Sequence, residues 1–380
     1  MKKTLSKRLM DAAFAGALLM FALSTAQAAK PAGEERPIVQ IAILLDTSGS
    51  MEGLIEQAKG QLWKIVNEFI NARQNGRVPE VQVALFEYGK STLPAEEGYI
   101  RMIQPLSNDL DKISEELFAL KTNGGDEYCG WVIREAVNRL TWSTSSDVYR
   151  AIFIAGNEPF TQGRVKYSVS CKAAVAKGII VNTIHCGGSA DGIATKWQDG
   201  ALLADGKFMN IDQNQAVVHF EAPQDAEILR LSTELNNTYV AFGLRGSESL
   251  VRQSAQDANA LSLAPQGAAV NRALAKASSN YRNSNWDLVD AVKEDTVKLA
   301  ELKKEELPKE LQELSVSERK DYLDKKAKER AELQTKINQL NKERSQFVAE
   351  KVKNTPANTL DAAVATAVRE QAAKRNYTFK

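Results

Sequence analysis

An apolar run that stops abruptly on a polar turn is the feature that most constrains the fold of this chain. Ile41 to Leu45 are five consecutive apolar residues, which is typical of a strand buried on both faces of a parallel sheet. The turn Asp46-Thr47-Ser48-Gly49-Ser50 follows, and apolar residues then recur at helical spacing from Leu54 to Phe69. The pattern predicts a strand–turn–helix unit, and ligands of open α/β sheets bind at such turns.

The chain repeats this alternation of strands and helices as far as residue 245. Further strands are predicted at Val81 to Tyr88, Tyr99 to Leu106, Ala151 to Ala155, Ile179 to Ile184 and Phe208 to Ile211. Amphipathic segments that predict helices lie between them, so the sheet is expected to be mainly parallel and covered on both faces. The predicted fold is a doubly wound, Rossmann-like α/β domain over residues 37–245, followed by an all-helical, charge-rich extension over residues 246–380.

The turn after the first strand carries oxygen ligands. Asp46 offers a carboxylate and Ser48 and Ser50 offer hydroxyl groups, a set that suits a small hard cation, Mg²⁺ before Ca²⁺. The alternative is structural, with Asp46 as a helix N-terminal acid and the serines as helix caps.

The pattern Asp-Thr-Ser-Gly-Ser-Met, placed directly after a long apolar run, resembles the metal-ion-dependent adhesion site (MIDAS) of the von Willebrand factor A (VWA) domain family. The resemblance covers residues 37–245 in order. The family builds its cation site from three loops at one end of the sheet, and the first loop, with Asp46, Ser48 and Ser50, matches fully.

The other two loops depart from the family pattern. The second loop usually reads Gly-Gly-Thr, whereas Gly124-Gly125-Asp126 puts an acid in the third place, with Thr122 as a weaker substitute. The third usually reads Thr-Asp-Gly after an apolar strand, and here Gly156 stands where the aspartate would fall, which leaves Asn157 or Glu158 to supply the oxygen.

The resemblance implies a cation site and a function. The site residues are Asp46, Ser48, Ser50, Asp126 and Asn157, and the ion is Mg²⁺, or else Mn²⁺ or Ca²⁺. The function is that of a non-enzymatic, cation-dependent protein-binding module for adhesion or scaffolding, whose protein partner presents an acidic residue to the ion. A metal-assisted hydrolase and an envelope-organising protein that acts through its helical tail remain open as alternatives.

The remaining reactive side chains give no catalytic arrangement. Of the two histidines, His219 has no assigned role, and a packed role is favoured for His185 because its neighbour Cys186 points to the opposite face of a strand. No Cys171–Cys186 disulfide is expected, since the two residues fall at different heights on the sheet. Trp197 is expected to be half buried. Neither catalytic nor nucleotide-binding residues are predicted.

The first 28 residues have the composition of a signal peptide. A basic start is followed by an apolar segment from Ala12 to Leu23 and by Ala26-Gln27-Ala28, a small-x-small cleavage site. We therefore expect a periplasmic or secreted protein without a transmembrane segment, because no later apolar run approaches about 18 residues. The formal net charge of +1 gives no indication of nucleic-acid binding.

The extension is predicted to be a long helix from Asp287 to Val352. Pro308 interrupts the helical pattern, and Ser315 with Glu318 forms a capping box that restarts it. Apolar residues at a/d spacing form a short coiled-coil-like seam: Leu333, Ile337, Leu340 and Phe347. The seam is consistent with a helical hairpin leaning on the first domain or with self-association, and the extension is expected to be separable near residue 246.

Overall fold

A computed structural model describes residues 36–52, 55–211, 220–263, 267–353 and 360–379 of the chain. The predicted signal peptide, residues 1–28, and His219 lie outside these residues. Within them, no helix combines the length and the hydropathy that a membrane span requires.

Within the described ranges, eight strands form two sheets. Their bounds are β1 Ile38–Asp46, β2 Ala72–Gln74, β3 Glu80–Tyr88, β4 Ile100–Ser107, β5 Tyr149–Gly156, β6 Ile180–Cys186, β7 Phe208–Ile211 and β8 Tyr377–Phe379. The main sheet has the order β4-β3-β1-β5-β6-β7, and every neighbouring pair is parallel except β3 and the edge strand β4. β2 and β8 form a separate antiparallel pair. The predicted mainly parallel α/β sheet is confirmed.

Twelve α-helices lie in the described residues. Their bounds are α1 Ile55–Glu68, α2 Leu110–Phe118, α3 Cys129–Arg139, α4 Tyr167–Ala176, α5 Ser189–Ala194, α6 Trp197–Leu202, α7 Asp225–Asn236, α8 Gly246–Ser262, α9 Ala268–Lys276, α10 Leu288–Lys293, α11 Val316–Lys353 and α12 Leu360–Ala373.

The central strand β1 explains why the sheet has helices on both faces. Ile41 and Leu45 point into one apolar cluster together with side chains of α1, α2, α7, α9, α11 and α12. Ala42 and Leu44 point into the other cluster, with side chains of α3, α4 and α6. Because neighbouring strand residues face opposite ways, an unbroken apolar run buries both sides of the sheet.

The extension contributes to the same core as the sheet. Ile337 of α11 and Val368 of α12 are fully buried in the first of these clusters, and Tyr377 of β8 is 2% exposed there. Residues from Arg36 onward form one compact unit. Residues before and after position 246 therefore pack together, although the composition changes there. The extension is mainly helical but not all-helical, because it also contains β8.

The predicted helix from Asp287 to Val352 is wrong in its first half. α10 ends at Lys293, and two 3-10 turns flank Pro308 before α11 begins at Val316. Proline has no N–H to donate and clashes with the preceding helical turn, so the helix cannot run through it. The predicted capping box is present, since Ser315 N–H donates to Glu318 Oε2 at 2.8 Å and Glu318 N–H donates to Ser315 Oγ at 3.3 Å.

The apolar seam of α11 is largely occupied within the chain. Ile337 is buried, and Leu333 and Leu340 pack against the same cluster as the sheet. Of the two arrangements left open for the extension, packing against the first domain is the one observed.

Candidate functional site

The predicted site lies where β1 ends. Asp46 is fully buried, and its Oδ1 accepts a hydrogen bond of 2.7 Å from Ser48 N–H. A 3-10 turn over Gly49–Met51 follows, and Ser48 Oγ and Ser50 Oγ lie 2.8 Å apart in a hydrogen bond. The turn therefore places a carboxylate and two hydroxyl groups side by side, as the sequence indicates.

The third loop meets this turn because β5 lies next to β1. Ser50 Oγ donates to Asn157 Oδ1 at 3.0 Å. A Cβ at Gly156 would lie 2.5 Å from Tyr88 Oη and 3.1 Å from Asp46 Cβ. Position 156, at which the family has an aspartate, therefore has no room for a side chain, and the side-chain oxygen that reaches the turn from this loop is that of Asn157.

The second loop brings a different acid from the one predicted. Asp126 is exposed, and its Oδ2 accepts a hydrogen bond of 3.1 Å from Tyr128 Oη. Glu127 is 5% exposed, and a Cβ at Gly89 would lie 2.9 Å from Glu127 Cγ and 2.7 Å from Asp46 Oδ1. Glu127, not Asp126, therefore lies beside the turn.

Backbone contacts fix this arrangement of the second loop. Gln162 Oε1 accepts from Glu127 N–H at 2.8 Å, and Asn123 N–H donates to Thr47 O at 2.9 Å. A Cβ at Gly125 would lie 2.3 Å from Gly89 O, so only glycine permits the two loops to approach this closely. We refer to Asp46, Ser48, Ser50, Glu127 and Asn157 as the turn cluster.

The turn cluster contains two buried acids that have no basic partner in the part of the chain that the structure describes. Asp46 and Glu127 form no ion pair within the described residues, and Asp46 Oδ2 is buried there without a hydrogen-bond partner. Burial raises the pKa of Asp46 to about 7, against the opposing effect of hydrogen bonds from Ser48 and of the nearby Asn157 backbone N–H. Burial, followed by repulsion from Asp46, raises the pKa of Glu127 to about 8.

The donor set of the turn cluster fits a hard cation. It combines carboxylate, hydroxyl and amide oxygens, the ligands that Mg²⁺, Mn²⁺ and Ca²⁺ prefer. No described group donates a hydrogen bond to Asp46 Oδ2, so this oxygen is available to a cation. The described ranges contain no group of three or more His, Cys, Asp or Glu residues suited to a metal, so any ion here depends on the serine and asparagine oxygens as well.

The remaining candidate residues near this end of the sheet are packed. His185 is 2% exposed with its ring centroid 5.7 Å from that of Trp197, which confirms the packed role. Trp197 is fully buried, not half buried as expected, because its ring packs against Phe160, and its Nε1 donates to Glu158 O at 2.9 Å. Cys171 and Cys186 are free and pack in different clusters on opposite faces of the sheet.

Comparisons with known proteins concern the fold alone. No family model and no curated protein matches the chain. Among solved structures, the chain is similar to the conserved hypothetical protein BatB from Bacteroides thetaiotaomicron, with 18% identity, a TM-score of 0.36 and coverage of 46% of this chain and 90% of that one. The chain is also similar to the VWA domain of SpRpn10, with 16% identity and a TM-score of 0.36. That match covers 46% of this chain and 88% of the other.

A further similar structure is that of proximal thread matrix protein 1 from the mussel byssus with a zinc-occupied MIDAS motif. Its identity is 13% and its TM-score 0.35, and the match covers 48% of this chain and 43% of that one. The described residues of this chain have the features that the sequence resemblance predicts: a six-stranded sheet that is parallel apart from one edge strand, and the Asp-x-Ser-x-Ser turn at the end of β1.

Proposed function

We propose that this protein is a non-enzymatic, divalent-cation-dependent protein-binding module whose cation is held by the turn cluster. The observation that carries the proposal is the convergence of three loops on Asp46, whose Oδ2 is buried without a partner among the described residues. The proposed ligands are Asp46, Ser48, Ser50 and Asn157 from the sequence prediction, with Glu127 replacing Asp126.

Charge supports a cation at this position. Asp46 and Glu127 are both buried, and Glu158 adds a further negative charge near both of them. Bringing like charges together away from water is unfavourable unless an opposite charge accompanies them. A divalent ion would supply that charge, with Mg²⁺ as the first choice and Mn²⁺ or Ca²⁺ as the others.

The expected partner is a protein that places an acidic side chain on the ion. Ser50 is exposed at the surface of the turn, so an ion bound there has a side open to a partner. The resemblance to VWA domains suggests an acidic residue for that position. Self-association through the α11 seam is not part of the proposal, because Leu333, Ile337 and Leu340 are packed within the chain.

The proposed place of action is outside the cytoplasm, in the periplasm or in the medium. The support is the composition of residues 1–28, with cleavage after Ala28. N-terminal sequencing of the protein recovered from its native cells tests this directly. A chain that still begins at Met1 would contradict export by cleavage.

The cation site is tested by the melting temperature of the mature chain in EDTA and with added Mg²⁺, Mn²⁺ or Ca²⁺. Binding to the folded state alone raises the melting temperature. Glu127→Gln and Asp46→Asn should abolish the rise, because each removes a buried carboxylate from the turn cluster. Asp126→Asn is the matched control, since its exposed side chain bonds to Tyr128, and it should keep the full rise.

Two outcomes would contradict the proposal. One is a wild-type protein whose melting temperature no divalent ion raises. The other is a cation response that Asp126→Asn abolishes and Glu127→Gln leaves intact, which would restore the ligand predicted from the sequence. Partner binding is then tested by pull-down from the cell envelope fraction with and without EDTA, using Glu127→Gln as the negative control.

A further inference from the structure

Beside the turn cluster, one buried acid is shared by two basic residues of the surface. Glu87 is 1% exposed at the end of β3, and its Oε2 accepts a hydrogen bond of 3.3 Å from Thr47 Oγ1. Arg101 Nη2 lies 2.6 Å from Glu87 Oε1, and Lys90 Nζ lies 3.9 Å from Glu87 Oε2. One carboxylate therefore meets two cations, and the group has positive charge in excess. We refer to Lys90 and Arg101 as the basic flank.

Both residues of the basic flank are accessible to an anion from solvent. The side chains of Lys90 and Arg101 are 20% and 54% exposed. Among the described residues, Glu87 is the one ion-pair partner of each. A guanidinium carries several N–H donors, and Glu87 occupies one side of that of Arg101, so donors of Arg101 remain for a second carboxylate.

Gly124 connects the basic flank to the turn cluster. A Cβ on Gly49, in the turn, would lie 3.5 Å from Gly124 N, and Gly124 O accepts a hydrogen bond from the N–H of Ser91, the residue after Lys90. A Cβ on Gly124 itself would have no described atom beyond its chain neighbours within 4 Å. The surface over Gly124 is therefore open, and the backbone of another chain can approach it closely.

The separation of the turn cluster and the basic flank suits two side chains of one extended segment. β1, β3 and β4 are consecutive in the sheet, with Leu45 opposite Glu87 and Glu87 opposite Arg101. Strands lie about 5 Å apart, so the basic groups that meet Glu87 lie about 5–10 Å from the end of β1. Side chains at i and i+2 of an extended chain share a face and lie about 7 Å apart.

We propose that the protein partner binds through an extended segment with acidic residues at i and i+2, one on the cation and the other on Lys90 and Arg101, with its backbone over Gly124. The inference rests on the proposed function, because the first acid needs the cation. Charge complementarity selects the second acid, since an added carboxylate balances the excess positive charge around Glu87. The basic flank is exposed, so this contact contributes a modest factor to affinity and more to the choice of partner.

The test is a calorimetric titration of the full mature chain, in saturating Mg²⁺, with the acetylated and amidated peptide Gly-Ser-Asp-Gly-Asp-Ser-Gly. The comparison peptides have asparagine in place of the first aspartate, the second or both. The two-acid peptide should bind about twofold to fivefold more tightly than either single-acid peptide.

A titration with Mg²⁺ alone, run first, separates this inference from the proposed function. If Mg²⁺ does not bind, the proposed function fails and the inference fails with it. If Mg²⁺ binds but the two-acid peptide binds no better than the single-acid peptides, or not at all, the inference is overturned and the cation site stands.

Substitutions assign the second acid to the basic flank. Arg101→Gln should remove the advantage of the second aspartate and leave Mg²⁺ binding unchanged, whereas Arg101→Lys, which keeps the charge, should retain part of that advantage. Arg369→Gln is the matched control and should retain all of it, because Arg369 is 58% exposed and pairs with Glu68 at 2.8 Å.

Gly124→Leu tests the path of the segment. Gly124 is not in the left-handed region and a side chain there enters open space, so the variant should fold and bind Mg²⁺ but lose affinity for the two-acid peptide. The proposal is overturned if folded Arg101→Gln keeps the full preference for the two-acid peptide, or if Gly124→Leu binds that peptide as the wild type does.

Discussion

Two buried clusters of charged side chains in this protein differ in whether their charges are balanced. In the paired cluster, formed by Asp111, Asp257, Arg272 and Lys276, each charge meets its opposite. Arg272 contacts Asp111 Oδ1 at 2.7 Å and Asp257 Oδ1 at 2.5 Å, and Lys276 Nζ lies 2.7 Å from Asp257 Oδ2. In the turn cluster, Asp46 and Glu127 share a buried space without a basic side chain from the described residues.

The charges of the paired cluster stabilise the fold, whereas the acids of the turn cluster have no counter-charge among the described residues. The paired cluster joins α2, α8 and α9, and its hydrogen-bonding capacity is used within the chain, for example by Arg272 Nη2 donating to Gln253 O at 3.0 Å. In the turn cluster, by contrast, Asp46 Oδ2 accepts no hydrogen bond from the described residues. An unbalanced buried charge is unfavourable for folding alone, so we interpret it as a binding feature.

Removal of one partner from the paired cluster should have the largest effect. Arg272→Met leaves Asp111 and Asp257 without their main counter-charge, and we expect the free energy of unfolding to fall by about 3–5 kcal/mol. Urea denaturation measures it. Arg230→Met is the control, because its pairs with Glu227 and Glu234 are exposed to solvent and their loss should leave the free energy of unfolding nearly unchanged. If the two variants lost equal free energy of unfolding, the buried pairs of Arg272 would be no more stabilising than the exposed pairs of Arg230.

Ile337→Ala tests whether the extension and the sheet share one core. Ile337 is fully buried in the cluster that also contains Ile41, and its truncation should lower the free energy of unfolding by about 2–5 kcal/mol. Fluorescence and far-UV circular dichroism should report a single coincident transition. Lys342→Ala on the exposed face of α11 serves as control. Two separate transitions, with only one shifted, would support a separable extension.

The turn cluster should make stability fall as the pH rises when EDTA is present. Asp46 and Glu127 have folded pKa values raised to about 7 and about 8, whereas the unfolded values are about 4. Between pH about 4 and 8 the folded state therefore binds more protons than the unfolded state, so the free energy of unfolding declines, by on the order of 1 kcal/mol or more.

The free energy of unfolding is measured against pH in EDTA for the wild type and for Glu127→Gln. This variant lacks one of the two titrating groups, so its stability should fall less steeply as the pH rises. Saturating Mg²⁺ should flatten it too, because an ion stabilises the ionised carboxylates. A wild-type stability that instead rises over this range in EDTA is incompatible with two unbalanced buried acids.

The smallest effect on stability is expected for Ser50→Ala. Ser50 is exposed, and its hydroxyl bonds to Ser48 and Asn157, so its loss in EDTA should cost about 1 kcal/mol or less. Mg²⁺ affinity should still fall about tenfold, which corresponds to about 1.4 kcal/mol of binding free energy. Calorimetric titration distinguishes the two quantities, and an unchanged affinity would remove Ser50 from the ligand set.

Local patterns in the sequence predict most of the α/β half and the first loop of the candidate site. The apolar run from Ile41 to Leu45 predicts β1 and its two covered faces, and Ser315 with Glu318 predicts the start of α11. These features depend on neighbouring residues, for which periodicity and capping chemistry are reliable guides. The proximity of Ser50 and Asn157 also follows, because the carboxyl ends of adjacent parallel strands meet at one edge.

Tertiary structure decided which acid joins that site. Nothing periodic distinguishes Asp126 from Glu127, and the choice depends on Gly125 packing against Gly89 O and on Gln162 accepting from Glu127 N–H. Both contacts join loops that are distant in the chain, so no short window contains them.

The sequence by itself determined the strand–turn–helix unit, the sheet class and the oxygen-rich turn of Asp46, Ser48 and Ser50. Only the tertiary structure decided that Ile337 belongs to the sheet's core, and that Glu127, not Asp126, lies beside the turn. The physical reason is that backbone periodicity and capping act over a few residues, whereas burial and charge balance depend on whatever the folded chain brings together.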